Sequence, residues 1–119
     1  MTQSDIITDR LLDFAAGSIK LDAKLGKTVA GRYLSNQLMR ASVSAGANYQ
    51  EARGAENRPY FVHKMQVVLK ELREAWYWVR LIERANLLTA AELWRQLGEA
   101  DELTRIVARS VTTAKARLK

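Results

Sequence analysis

The stretch Phe61-Val-His-Lys-Met-Gln-Val-Val-Leu-Lys-Glu-Leu-Arg-Glu-Ala-Trp-Tyr-Trp-Val-Arg-Leu-Ile82 decides the fold. Its apolar residues Phe61, Met65, Val68, Leu72, Ala75, Trp76, Val79 and Ile82 return at steps of mostly three and four. That is the period of one face of an α-helix, and the run spans about six turns, too long for a strand. Pro59 stands just before it, where a missing N–H costs nothing because a first-turn donor has no partner within the helix. The pattern fades at Asn86.

The same period extends in both directions. Ile7, Leu11, Phe14, Ser18, Leu21 and Leu25 predict a first helix over roughly Asp5 to Leu25. Ser4 is the expected cap, with Asp5 and Asp9 favouring the positive end of the dipole and Gly26 as the stop. A second helix is expected from Ala30 to Ala52, with Leu34, Leu38 and Ala41 inward and small residues after them; Gly54 ends it. Gly46 within this helix costs about 1 kcal/mol relative to Ala, so a close approach between helices is expected there. Thr89 and Glu92 form a capping-box pattern, with Leu88 and Leu93 spaced as a hydrophobic staple. Leu93, Leu97, Ala100, Leu103, Val107, Ser110 and Ala114 carry that fourth helix to near the C-terminus. Four long helices joined by short turns predict an all-α, antiparallel up-down four-helix bundle, one domain over residues 1–119.

Composition fits. Of 119 residues, 48% are apolar and 27% charged, a globular balance that supports a core without staples. There is no cysteine, which removes disulfides, thiolate metal sites and cysteine nucleophiles together. No apolar run approaches the ~18 residues of a membrane span, and the N-terminus lacks the basic start of a signal peptide. A cytoplasmic location is expected. Nineteen basic against thirteen acidic residues give a net charge of +6, which favours a polyanionic partner.

The segment from Gln37 to Ala52, Gln-Leu-Met-Arg-Ala-Ser-Val-Ser-Ala-Gly-Ala-Asn-Tyr-Gln-Glu-Ala, is more particular than a generic helix. It resembles helix two of the family of four-helix bundles named after the intervening sequences of 23S ribosomal RNA. The blocks Phe61 to Met65, Lys70 to Glu74 and Trp76 to Trp78 resemble that family's helix three. The resemblance implies a ring-like homopentamer. It also implies similarity to the accessory protein of diversity-generating retroelements, a basic pentamer that binds nucleic acid and a reverse transcriptase.

On helix three, His63, Gln66, Lys70, Arg73, Tyr77, Arg80 and Arg84 share one side. Lys70, Arg73, Arg80 and Arg84 are the expected phosphate contacts, with Tyr77 as a stacking platform for a base in RNA or DNA. The plainer alternative is a solvated helix face, with Glu74 and Glu83 near enough to pair. Arg105, Arg109, Lys115, Arg117 and Lys119 add a basic C-terminal run, which also complements the helix dipole. Val67, Trp78 and Leu81 form a second apolar strip, expected at a subunit interface; alternatively the wide apolar face reaches two neighbouring helices. Arg40, Ser44, Asn48 and Glu51 match the family's motif positions and read as structural. Arg40 and Glu51 lie about 16 Å apart along one helix axis, so Glu71 or Glu74 on helix three is the expected partner of Arg40.

Little points to catalysis. One histidine excludes histidine metal clusters, and no strand precedes a Gly-rich loop. No metal, cofactor or enzymatic activity is expected. Arg58 and His63 have the Arg-x-x-x-x-His spacing that resembles the ribonuclease motif of HEPN domains, but Pro59 follows the arginine where a polar residue is usual. The leading expectation is a non-enzymatic homo-oligomer that contacts RNA or DNA. An interaction scaffold without nucleic-acid binding comes second.

Overall fold

The computed structural model describes residues 1–118, so Lys119, the last member of the basic run, lies outside them. Four helices follow in order: α1 (Gln3–Leu25), α2 (Val29–Arg53), α3 (Arg58–Arg84) and α4 (Ala90–Ala116), with no strand among the described residues. Each begins where a side-chain oxygen takes one of the N–H groups that a first turn leaves unpaired. Thr28 does so for Gly31 N–H at 3.0 Å, and Asn57 for Tyr60 N–H at 2.9 Å. Thr89 and Glu92 close the expected capping box.

The first helix departs from expectation. Thr2, not Ser4, is its cap, because Asp5 stands three residues on and returns the bond: Thr2 N–H donates to Asp5 Oδ2 at 3.0 Å and Asp5 N–H to Thr2 Oγ1 at 3.1 Å. These bonds favour ionised carboxylates. The Thr2 backbone N–H, then the Arg53 side chain, hold the Asp5 carboxyl below its ordinary range. The Thr89 backbone N–H, then Lys24, lower Glu92 to about 2.

The turns are short. Gly31 has no room for a side chain, since a Cβ there would overlap the Leu25 carbonyl oxygen. Two residues past the end of α3, Asn86 takes φ 59°, a left-handed conformation that Asn tolerates. Leu87 N–H then returns to Ile82 O at 3.2 Å and Asn86 N–H to Glu83 O at 3.0 Å, which satisfies carbonyls of the last turn.

Cross-links fix the antiparallel order. Arg53 at the end of α2 meets Asp5 at the start of α1, and Glu51 of α2 meets Lys64 of α3. Lys24 reaches Glu92, and Arg10 reaches Glu99 and Glu102, so α4 returns alongside α1. Leu11, Phe14, Leu38, Leu72, Ile82, Leu93 and Leu103 are fully enclosed, each burial contributing about 2 kcal/mol before entropy is counted. The molecule measures 48 × 25 × 22 Å.

A polar thread crosses this apolar interior. Gln96 Nε2 of α4 donates to Ser18 Oγ of α1 and to Phe14 O, both at 2.8 Å. Ser42 of α2 donates to Leu38 O at 2.7 Å, which leaves Ser18 as the donor in the 2.8 Å Ser18–Ser42 bond. Gly17 makes room for it, since a Cβ there would stand 2.5 Å from Gln96 Oε1. Gly46 is different. A Cβ on it would meet Leu11 at an ordinary 3.8 Å, so the close helix–helix approach expected at Gly46 occurs at Gly17 instead, while Gly31 is tight only against its own α1–α2 turn.

Candidate nucleic-acid interface

Helix α3 sits between α2 and α4, and its polar residues divide by direction. On the α2 side every charge has a partner. Arg40 spans two carboxylates, Glu71 at 2.9 Å and Glu74 at 3.0 Å, the two acids expected for it. Glu71 is only 5% exposed, and removing the partner of a buried charge is costly. Glu74, then Glu71, raise the Arg40 guanidinium above its usual value. Lys64 binds Glu51 at 2.5 Å and reaches Asn48 Oδ1 at 3.4 Å, while Asn48 donates to Ser44 O at 2.9 Å. The motif residues Arg40, Ser44, Asn48 and Glu51 thus form the polar edge along which α2 and α3 join.

The outward side is unlike this. Lys70, Arg73 and Arg84 are exposed and have no carboxylate within 4 Å among the described residues. Tyr77 lies between them, 55% exposed. Its ring packs edge-on against Trp78, with centroids 5.3 Å apart at 76°, which restricts the tyrosine and leaves its surface to solvent. Lys70, Arg73, Glu74, Tyr77 and Trp78 line a shallow hollow there. Arg80 is less free. Its guanidinium lies 5.5 Å from the Trp76 ring centre and its Nε is 3.7 Å from Glu83. This also corrects the placing of Trp76 on the core face: the indole is 38% exposed beneath Arg80.

The second apolar strip is partly absorbed within the chain. Trp78 and Leu81 are half-buried against the core, and Trp78 meets Tyr33 of α2 edge-on at 6.3 Å. Val67 is half-buried too. The Trp78 indole N–H is buried without an acceptor among the described residues. Arg58 and His63 are both exposed, at the start of α3 and one turn further along it. Arg105 pairs with Asp101 at 3.2 Å, so the C-terminal run begins with a neutralised charge. No His, Cys, Asp or Glu cluster suited to a metal occurs among the described residues, and no helix is long and apolar enough to cross a membrane.

The model of one protein family matches residues 5–109, described as 23S rRNA-intervening sequence protein. The chain belongs to that family. Among solved structures it is similar to a protein of unknown function from the S23 ribosomal protein family of Bacteroides thetaiotaomicron. The two share 25% sequence identity at a TM-score of 0.81, over 93% of this chain and 99% of the other. No curated protein matches the chain. The family match spans most of α1, all of α2 and α3 and most of α4, so it includes both the paired edge of α3 and its free face.

Proposed function

We propose that this member of the 23S rRNA-intervening sequence family is a non-enzymatic, basic homo-oligomer that binds RNA or DNA on the outward face of α3. One observation carries the reading: among the described residues Lys70, Arg73 and Arg84 stay unpaired beside an exposed Tyr77, while the cations at the α2–α3 seam, Arg40 of α2 and Lys64 of α3, are paired. Phosphates would take the three cations, and a base would lie on Tyr77. Arg80, held by Trp76 and Glu83, contributes positive potential more than a direct contact. The motif residues Arg40, Asn48 and Glu51 hold α2 to α3 and so fix the rotation of the binding face.

The oligomer is the reading the family resemblance favours, as a pentamer, with Val67, Trp78 and Leu81 at the contact. Sedimentation equilibrium checks it, a pentamer having five times the 13.5 kDa chain mass. Fluorescence anisotropy with labelled RNA and DNA over a salt series tests nucleic-acid binding. Affinity that falls steeply with salt is expected; no binding of either at about 0.1 M salt, where exposed charges still act over roughly 10 Å, would leave a protein-interaction scaffold.

A further inference from the structure

The seam between α1 and α4 is closed for most of its length and open at one end. Arg10 with Glu99 and Glu102, Gln96 with Ser18, and Lys24 with Glu92 fasten the closed part. Beyond Arg10, toward the start of α1, no such fastening occurs among the described residues. There the ends of all four helices surround a groove of about 1090 Å³. Its floor is apolar: Ile7 and Met65 are buried, and Phe61 and Ile106 are half-buried beside them. Its rim is cationic. Arg58, Arg109 and Arg117 line it, exposed and without a carboxylate within 4 Å among the described residues, while Arg53 is taken up by Asp5. Glu56 is the one unpaired acid among the lining residues.

We propose that this groove docks an acidic, amphipathic peptide segment of a partner protein. Apolar side chains of the segment would cover Ile7, Phe61, Met65 and Ile106, and its carboxylates would meet Arg58, Arg109 and Arg117. Charge complementarity selects the occupant: a floor of apolar side chains asks for apolar cover, and three free guanidiniums around it ask for carboxylates, which Arg holds in bidentate geometry. The volume lies at the upper end for small-molecule sites, and the groove opens to the surface along the seam, which suits a chain segment. Nucleic acid fits less well, because the floor is mainly aliphatic, whereas bases stack on flat rings. Met65 adapts readily to different apolar side chains. The groove is separate from Lys70, Arg73 and Arg84, and the proposal does not depend on nucleic-acid binding.

The test uses the full chain and a fluorescein-labelled peptide of repeating Glu-Leu-Leu-Glu composition, at roughly 0.15 M salt. Two control peptides replace Leu by Ser or Glu by Lys. The acidic amphipathic peptide should bind, and each control should bind at least about tenfold more weakly. Arg58→Glu with Arg109→Glu should weaken binding by at least about tenfold, whereas Lys70→Ala with Arg73→Ala and Arg84→Ala should leave it unchanged. Circular dichroism checks the fold of each variant, and Arg58→Gln with Arg109→Gln provides a milder pair should the reversal fail to fold. The proposal is overturned by no binding up to about 1 mM peptide, by equal binding of the Lys peptide, or by indifference to both arginine pairs. It is also overturned if an oligo-dT strand displaces the peptide, or if either arginine pair changes the sedimentation mass, which would make a second copy the occupant.

Discussion

The two polar sides of α3 use the same residue types for different ends. Toward α2, Arg40 meets Glu71 and Glu74, and Lys64 meets Glu51. Facing outward, Lys70, Arg73 and Arg84 meet no carboxylate among the described residues. The contrast teaches that residue type alone does not mark a functional charge in this bundle. What marks it is whether the fold has already supplied a counter-ion. A paired cation is part of the architecture, and removing it leaves a desolvated acid behind. An unpaired one contributes little to folding and remains available to a polyanion.

Charge reversal breaks the comparison most directly. Arg40→Glu would set a third carboxylate against the buried Glu71 and against Glu74, costing about 3 kcal/mol of stability. Arg73→Glu on the outward side should change stability by no more than about 0.5 kcal/mol. Urea midpoints at unchanged slope measure both. Equal losses would erase the distinction between the two sides.

The interior thread gives a sharper case of polar groups consumed by folding. Gly17→Ala pushes a methyl against the Gln96 amide and unseats its bonds to Ser18 and Phe14, at a cost of about 1–3 kcal/mol. In a Gln96→Ala background that methyl meets no amide, so the same substitution should be nearly neutral. A double-mutant cycle reads the coupling, expected at about 1 kcal/mol or more. Additive losses would show that Gly17 serves something other than the glutamine.

The smallest effect is expected with pH. The Glu92 carboxyl is depressed from 4.5 to about 2 in the folded chain, by Thr89 first and then Lys24. A depressed acid contributes stability that is fully present above pH 4.5 and lost as pH falls through about 2. Glu92→Gln keeps an acceptor for the Thr89 N–H but cannot titrate, so its acid limb should be flatter than that of the wild type over this window. Parallel limbs in urea titrations would contradict the assignment.

Much of the bundle is legible in the sequence because a buried face three and four residues apart has one physical reading. Ser18 falls on that face by spacing alone, and the Thr89–Glu92 box needs only local chemistry. Thr2 was harder to see, since Asp5 serves as well for the dipole as for a reciprocal cap. Gln96 was missed although it lies three residues after Leu93 on the inward face: a pattern read for apolar residues passes over a buried amide. Gly46 drew attention as a mid-helix glycine, but spacing does not reveal which glycine meets a neighbour, and the tight contact between helices falls at Gly17. The free face of α3 was legible as a row of cations around Tyr77. That Arg80 turns onto Trp76 while Lys70, Arg73 and Arg84 stay free was not, because pairing depends on side-chain rotation that one sequence does not carry. The basic-rimmed groove has no local signature, since its residues come from all four helices.

The salt dependence of nucleic-acid affinity tests the central claim most directly. It would be measured by anisotropy for the wild type, for Lys70→Ala/Arg73→Ala/Arg84→Ala and for Arg40→Ala, each of checked oligomeric mass. Each lost phosphate contact lowers the slope of log affinity against log salt by nearly one. In the outward-face variant the slope should be smaller by about 3, with weaker binding and an unchanged melting temperature. Arg40→Ala should keep the slope and lose stability instead. A wild-type slope in the outward-face variant, or a slope lost only in Arg40→Ala, would contradict the claim that the unpaired side of α3 is the phosphate-binding surface.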